Sequence, residues 1–190
     1  EVELSGSAFD KGHMILEGFL RQRFAQKRPL SLCASLSCEQ NYMPVDGDSA
    51  TTTETFALLS ALGRIPIRQS IAVTGSVNQF GEVQAVGAAN EKIEGFFKIC
   101  KDRGLTGEQG VIIPASNESR LMLSKEVIEA AKKGLFHVWA IRHIDEGMEI
   151  LSGLPAGKLR KDGSWTPDSV NALVDERLEE LAAIQKESSK

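Results

Sequence analysis

The sequence predicts an α/β (α+β) domain, a mixed sheet flanked by helices, and three observations carry that expectation. Apolar residues recur at helical spacing in several long stretches. Between them lie short strand-like segments, one with strict apolar–polar alternation and one a brief apolar run ended by proline. The composition agrees: 190 residues, 42% hydrophobic, 25% charged and 6% aromatic, suit one sizeable domain, and no internal repeat or low-complexity tract interrupts it.

Taken in order, Glu1-Val2-Glu3-Leu4 reads as a strand. Across 9 to about 26, Met14, Ile15, Leu16, Phe19, Leu20 and Phe24 fall at helical spacing. Leu30, Leu32, Ala34 and Leu36 then alternate with Ser31, Cys33, Ser35 and Ser37, the pattern of a half-buried strand. A loop over 39–48 leads to a helix over about 49–62, with Gly63 placed to end it. Strand-like segments at 70–75 and 82–86 flank Asn78-Gln79-Phe80-Gly81, which reads as a hairpin turn. A helix follows over 88–103, then a strand over 110–114 that Pro114 stops. Next come a helix near 125–133, a strand over 136–141 and a helix over 145–151.

Residues 153–162 look like a linker. Thr166 and Pro167 then supply an N-cap and a first helical position. Val170, Leu173, Val174, Leu178 and Leu181 form one stripe of an amphipathic tail helix, which must dock on another surface. The expected division is a main domain over 1–152 and an appendage of linker and helix over 153–190.

A net charge of -4 supplies no electrostatic case for nucleic acid or an anionic membrane. No apolar run approaches the roughly 20 residues of a membrane helix, and no signal peptide opens the chain. The first residue is Glu1 rather than Met, which suits a fragment of a longer polypeptide. Cys33, Cys38 and Cys100 are odd in number and lack C-x-x-C spacing, so the reducing cytoplasm is the expected compartment.

Several standard motifs are excluded. Gly47-Asp48-Ser49-Ala50-Thr51 lacks the second glycine of the hydrolase elbow. Gly153-Leu154-Pro155-Ala156-Gly157-Lys158-Leu159 comes nearest to a nucleotide P-loop, but its glycines stand too close and leucine replaces the magnesium-binding Ser/Thr. His13, His137 and His143 lack metal-ligand spacing; a structural or surface role fits each, and no metal site is expected. Cys38 would need a distant histidine to act as a thiol nucleophile, and nothing local supports it.

Ser49 follows Asp46, Gly47 and Asp48 and precedes the apolar run that begins at Phe56. From those residues alone, a helix cap is the commoner role. A nucleophile there needs a base, and the 88–103 helix offers Lys92. Lys98 has Glu94 four residues before it, the ordinary pair of a solvated face. Lys92 has no carboxylate within helical reach and shares its row with Ala89, Ile93 and Phe96. It is expected on a burying face. There it either snorkels, with its ammonium in water, or is desolvated, which favours the neutral amine that accepts a proton. A serine paired with a neutral lysine needs no histidine.

In combination and order, the motifs carry a resemblance. Asp46-Gly47-Asp48-Ser49-Ala50, then Thr74-Gly75-Ser76-Val77, Gly81-Glu82-Val83, Val86-Gly87 and Asn90-Glu91-Lys92-Ile93-Glu94-Gly95, resemble the proteolytic domain of Lon-type ATP-dependent serine proteases. The B-type and Lon-related bacterial forms are the nearest. The resemblance runs from the first residues to about residue 151, through Val111-Ile112-Ile113-Pro114 and the closing IRHIDEGMEIL. It implies the Lon proteolytic-domain fold, which is ribosomal protein S5 domain 2-like.

The resemblance also implies roles. Ser49 would be the nucleophile, Lys92 the general base, and Thr74 the threonine that hydrogen-bonds the lysine amine and aims it at the serine. Asp46 matches an acidic residue beside the site, which holds the loop or, in some members, meets the lysine in an inactive arrangement. Gly47 and Asp48 complete that loop as supporting residues. Ala88-Ala89 stands where many members have glycines, which tightens the helix start without removing a reactive group. The implied substrates are unfolded or damaged polypeptides and the implied assembly is a homo-hexamer. This domain itself is expected to need no cofactor. ATP and magnesium would serve an ATPase module that lies upstream in the intact protein or on a partner.

Two other readings stand beside this one. A non-enzymatic binding or assembly module of the same fold would be signalled by loss of Ser49, Lys92 or Thr74, and all three are present. The broader fold, shared with some small-molecule kinases and nucleic-acid-binding domains, is the second: its kinase version would use the Gly47 loop for phosphate and leave Lys92 without a role, and the acidic net charge disfavours nucleic acid.

Overall fold

In the computed structural model, which describes residues 5–38, 41 and 43–188, α1 (Ser7–Phe24) leads through an irregular stretch to α2 (Thr51–Gly63). Strand β1 (Ile71–Val73) and a small hairpin of β2 (Ser76–Val77) and β3 (Val83–Gln84) follow, then α3 (Ala89–Arg103) and β4 (Gly110–Pro114). A 3₁₀ turn (Ala115–Arg120), α4 (Lys125–Lys132), β5 (His137–Ile141), α5 (Ile144–Ser152) and α6 (Val170–Ser188) complete the order. The 3₁₀ turn has no counterpart among the sequence expectations.

The α/β class is as expected, but parallel and antiparallel pairing are divided between two sheets rather than combined in one mixed sheet. β1, β4 and β5 run parallel in the order β1-β4-β5, with Ile71 opposite Gly110 and Gly110 opposite His137, while β2 and β3 pair antiparallel. Every residue of β4 is buried, which is why it reads as an unbroken apolar run rather than an alternating one. Its alternate side chains serve two cores. Val111 and Ile113 pack with Ile93, Phe97, Val127 and Phe136 on the α3–α4 side. Ile112 faces the larger core, built from α1, α2, α5 and α6 around Phe19, Phe56, Ile141 and Met148.

Several expectations are corrected. The alternating segment 30–37 joins no strand ladder among the described residues. Leu30 and Leu32 rest against the large core, and that apolar contact produces the alternation without sheet pairing. The expected strand at residues 1–4 lies outside the described residues, as do Glu39, Gln40 and Tyr42 of the expected loop. The segment 70–75 does not enter the hairpin; β1 ends at Val73, and Ser76–Val77 pairs with β3 instead. The turn at 78–81 is where the sequence puts it, closed by Gly81 N–H donating to the Asn78 carbonyl at 3.0 Å.

α2 is ended by Arg64 in the left-handed region (φ 52°), not by Gly63. Gly63 is the last helical residue, and space accounts for it: a Cβ there would lie 2.7 Å from Ile65 Cδ1 and 3.4 Å from Val174 Cγ2. The cap of the tail helix also moves. Ser169 Oγ accepts the Ala172 N–H, whereas Thr166 Oγ1 bonds Lys158, and α6 starts at Val170. Residues 153–162 are mostly exposed but tied to the tail helix, with Ala156 buried and the Pro155 and Ala156 carbonyls accepting from Val170 and Asn171. The apolar stripe of α6 docks on α2, burying Val170, Val174 and Leu178. Arg23 fastens α1 to this end. Its guanidinium sits over the rings of Phe19 and Trp165 and donates to both Asp145 oxygens and to Asn171 Oδ1.

Ala88, the residue before α3, takes a left-handed conformation (φ 56°). An L side chain is strained there by about 1–2 kcal/mol, and glycine is not. Ala88→Gly is therefore expected to raise stability by up to about 1 kcal/mol after the entropy of the unfolded glycine is subtracted, read as a higher thermal midpoint. A midpoint that falls would show that the αL strain is relieved by its surroundings.

Candidate active site

Asp46 builds the loop before Ser49. Its Oδ1 accepts the N–H groups of Ala8 (3.0 Å), Phe9 (3.2 Å) and Gly47 (2.8 Å). Two of these are free amides of the first turn of α1, so the carboxylate caps that helix from a distant loop. The Gly47 N–H, then the Phe9 N–H, hold its carboxyl below the ordinary carboxylate range, although burial opposes them. Gly47 turns the chain at φ 95°, a conformation that strains any residue with a side chain. Asp48 closes the turn: its carbonyl accepts the Thr51 N–H and hydroxyl, and its Oδ2 accepts the Ser76 hydroxyl at 2.9 Å.

Ser49 stands just before α2, and the helix begins at Thr51 rather than at Ser49 itself. Its hydroxyl is not a cap: the capping position is Ala50, and no side chain bonds there. The N–H groups of Ser49 and Ala50 donate to no group among the described residues. They stand at the positive end of the α2 dipole. The Ser49 carbonyl accepts the Gly75 N–H at 2.9 Å, and the Thr52 N–H donates to the Gly75 carbonyl at 3.1 Å. Main chain to main chain, the serine turn is therefore tied to the residue after Thr74.

Lys92 reaches this turn from the first part of α3. Its Nζ donates to Thr74 Oγ1 at 3.1 Å and to Ser49 Oγ at 3.2 Å. Thr74 is buried (6% exposed) and is held by its own N–H bond to the Ile112 carbonyl. The three side chains expected to act together, separated by 43 and 18 residues from the lysine, do meet. The expected burial of Lys92 does not hold. The buried stripe of α3 is Ala89, Ile93, Phe97 and Cys100, and Lys92 flanks it as an exposed residue. One helical step of about 100° separates neighbours, which is enough to put Ile93 inside and Lys92 at the rim of the cleft. The pairing of Glu94 with Lys98 is replaced too: Glu94 accepts from the Ser124 N–H and hydroxyl at the start of α4.

The cleft holding Ser49, Thr74 and Lys92 measures about 280 Å³ and is floored by Ala72, Val73 and Val111. Thr74 and Ser70 of the β1 segment bond to β4, so Ile71 and Val73 turn their backbone groups to the outer edge. That edge is unpaired among the described residues, apart from Thr53 Oγ1 at 3.3 Å from the Val73 carbonyl.

The histidines stand apart from this cleft. His13 faces Glu54 at 3.9 Å, and His137 bonds the Gly107 carbonyl and stacks on Trp139. His143 caps α5 by accepting the Asp145 N–H, and its other ring nitrogen lies 3.0 Å from the Phe80 carbonyl. No group of three or more His, Cys, Asp or Glu side chains suits a metal ion among the described residues. No helix is long and apolar enough to cross a membrane among them either. Ser76 is absent from the sequence candidates; nothing local to a buried serine signals a bond to a carboxylate 28 residues away.

With this geometry in view, comparison first assigns the α/β domain to a class, the proteolytic domains. The chain belongs to the Lon protease (S16) C-terminal proteolytic domain family, whose model matches residues 37–152. A Lon protease homolog of Escherichia coli (strain K12) is 47% identical over 154 residues, covering 81% of this chain and 26% of the relative. A second such homolog, from Haemophilus influenzae, is 41% identical over 186 residues, covering 98% of this chain and 31% of its own length. An archaeal Lon protease of Thermococcus kodakarensis is 38% identical over 111 residues, 58% of this chain and 16% of the relative. The chain thus spans between 26% and 31% of the two bacterial relatives' length.

Proposed function

We propose that this chain hydrolyses peptide bonds with Ser49 as nucleophile and Lys92 as general base. The observation that carries the reading is the paired contact of Lys92 Nζ with Ser49 Oγ and Thr74 Oγ1. With the amine neutral, the serine hydroxyl donates to nitrogen while an amine hydrogen remains on Thr74, which aims the lone pair at the serine. Ser49 Oγ attacks the scissile carbonyl as Lys92 takes its proton. The negative charge that develops on the carbonyl oxygen faces the free N–H groups of Ser49 and Ala50 at the start of α2. Collapse of the tetrahedral species expels the amine, which receives the proton from Lys92. Water then hydrolyses the acyl-enzyme by the same proton path.

The exposure of Lys92 points to what the substrate contributes. An extended peptide adding to the outer edge of β1 would lie across the cleft and cover the amine. Covering excludes water from the amine and the serine hydroxyl. A flexible, unfolded segment meets that requirement and a folded surface does not. In the same reading, this domain needs no cofactor, and an upstream ATPase module that uses ATP and magnesium delivers unfolded polypeptide. A cytoplasmic homo-hexamer sequesters the cleft, and neither nucleic acid nor membrane takes part.

The experiment is covalent labelling of the chain with a fluorophosphonate, followed by peptide mapping. Label on Ser49 is expected. Label confined to other residues, or none, would sink the nucleophile assignment and favour a silent module of the same fold.

A further inference from the structure

Beyond the contact of Ser49, Thr74 and Lys92, the tripeptide 74–76 makes a second set of bonds to the chain around the nucleophile. Gly75 receives Thr52 at its carbonyl and gives its N–H to the Ser49 carbonyl. Ser76 Oγ donates to Asp48 Oδ2 at 2.9 Å. These bonds flank Ser49 on both sides. They come from residues covalently joined to Thr74, the partner of the lysine amine. Slippage along this seam therefore changes the distance between Ser49 Oγ and Lys92 Nζ directly.

The seam is tight. Ser76 is 2% exposed and Thr52 is fully buried. A Cβ on Gly75 would lie 2.6 Å from Thr52 Oγ1, so the two segments approach as closely as a glycine permits. Thr52 Oγ1 has no hydrogen-bond partner among the described residues; leaving a buried hydroxyl unpaired is a cost, incurred here at the point of closest approach. Among the described residues, Asp48 is held by few groups: its carbonyl accepts from Thr51 and its carboxylate from Ser76. On its N-terminal side the chain turns through Gly47, the residue least able to restrain it.

We propose that Ser76 is a positioning residue for the hydrolysis assigned above, an inference that rests on the serine–lysine reading. Its hydroxyl pins Asp48, and with it the serine turn, at the register that brings Ser49 Oγ to the lysine amine. Ser76 touches no reacting atom. Its influence passes through Asp48, and misplacement of a reacting group by about 1 Å costs up to about 100-fold in rate.

The test compares wild type with Ser76→Ala, Asp48→Ala, the double variant and Asp48→Asn. An unstructured fluorogenic peptide is the substrate, rates are expressed per site titrated with the fluorophosphonate, and near-UV circular dichroism checks folding. Each alanine variant is expected to lower kcat about 10- to 100-fold with little change in KM. The double variant should fall no further than the worse single one, because both remove the same bond. Asp48→Asn keeps an acceptor oxygen for the Ser76 hydroxyl and should lose less than Asp48→Ala. A Ser76→Ala variant with a lower thermal midpoint but wild-type kcat per titrated site overturns the inference, as do additive losses in the double variant. In either case the dyad stands if wild type labels at Ser49. A wild type whose Ser49 does not react overturns the dyad and the inference together.

Discussion

Replacing Lys92 by arginine is expected to lower the rate of peptide hydrolysis by at least about 10²- to 10⁴-fold, the range a general base contributes. Arginine keeps the positive charge and much of the reach, and it can still donate to Thr74. What it lacks is a lone pair at accessible pH, since a guanidinium keeps its proton throughout that range. A lysine that merely filled the rim of the cleft or held Ser49 by charge would tolerate the change. The wild-type rate should also rise with pH, because only the uncharged amine takes the serine proton, and Thr74→Ala should disturb that rise by freeing the amine to rotate. The measurement is a kcat/KM profile against pH on an unstructured peptide. An arginine variant that kept most of the rate and the same profile would falsify the base assignment and return attention to the histidines.

Ser49→Ala should abolish hydrolysis and fluorophosphonate labelling together, while leaving the fold intact. From the sequence, loss of a helix cap worth about 1 kcal/mol is the expected structural cost. The structure lowers that figure. Ser49 does not cap α2; its carbonyl, not its hydroxyl, holds the seam to Gly75. Among the described residues, the hydroxyl accepts only from the exposed Lys92. The stability change should stay within about 0.5 kcal/mol, as for surface substitutions away from special features. A large drop in thermal midpoint alongside lost activity would mean that the variant fails by unfolding, and the nucleophile would have to be established by labelling alone. Peptide cleavage by Ser49→Ala at the wild-type rate would remove Ser49 from the mechanism.

Both predictions depend on residues that the sequence alone singles out. Ser49 is marked by the acidic loop ahead of an apolar helix, and Lys92 by the absence of a carboxylate partner at helical spacing. Thr74 enters through the resemblance, and the contacts of 3.1 and 3.2 Å bring the three together. The sequence misplaces Lys92 in one respect. Helical periodicity assigns a face to within a residue either side, and a rim position such as 92 next to the buried Ile93 falls inside that margin. Thr52, Gly75 and Ser76 cannot be recognised as a seam in the sequence, because their bonds join segments that it keeps apart.

The same division runs through the fold. β4, α4, β5 and α5 fall within a residue or so of where periodicity and proline put them, since each is specified by its own side chains. Local pattern also suffices for the amphipathic tail, though not for the α2 surface that receives it or for Ser169 as its cap. Segment 30–37 shows the opposite case: an alternating face reports burial on one side but says nothing about a neighbouring strand, and pairing is a property of two segments. By itself, then, the sequence determined the order of the helices and of the strands from β4 onward, the candidate serine and lysine, and the family resemblance. Tertiary structure alone decided that Asp46 caps α1, that Lys92 lies exposed at the rim of a cleft, and that residues 74–76 hold the serine turn. Those are contacts between groups far apart in the chain, and their free energy appears only when the sheet and helices bring them within a hydrogen bond's length.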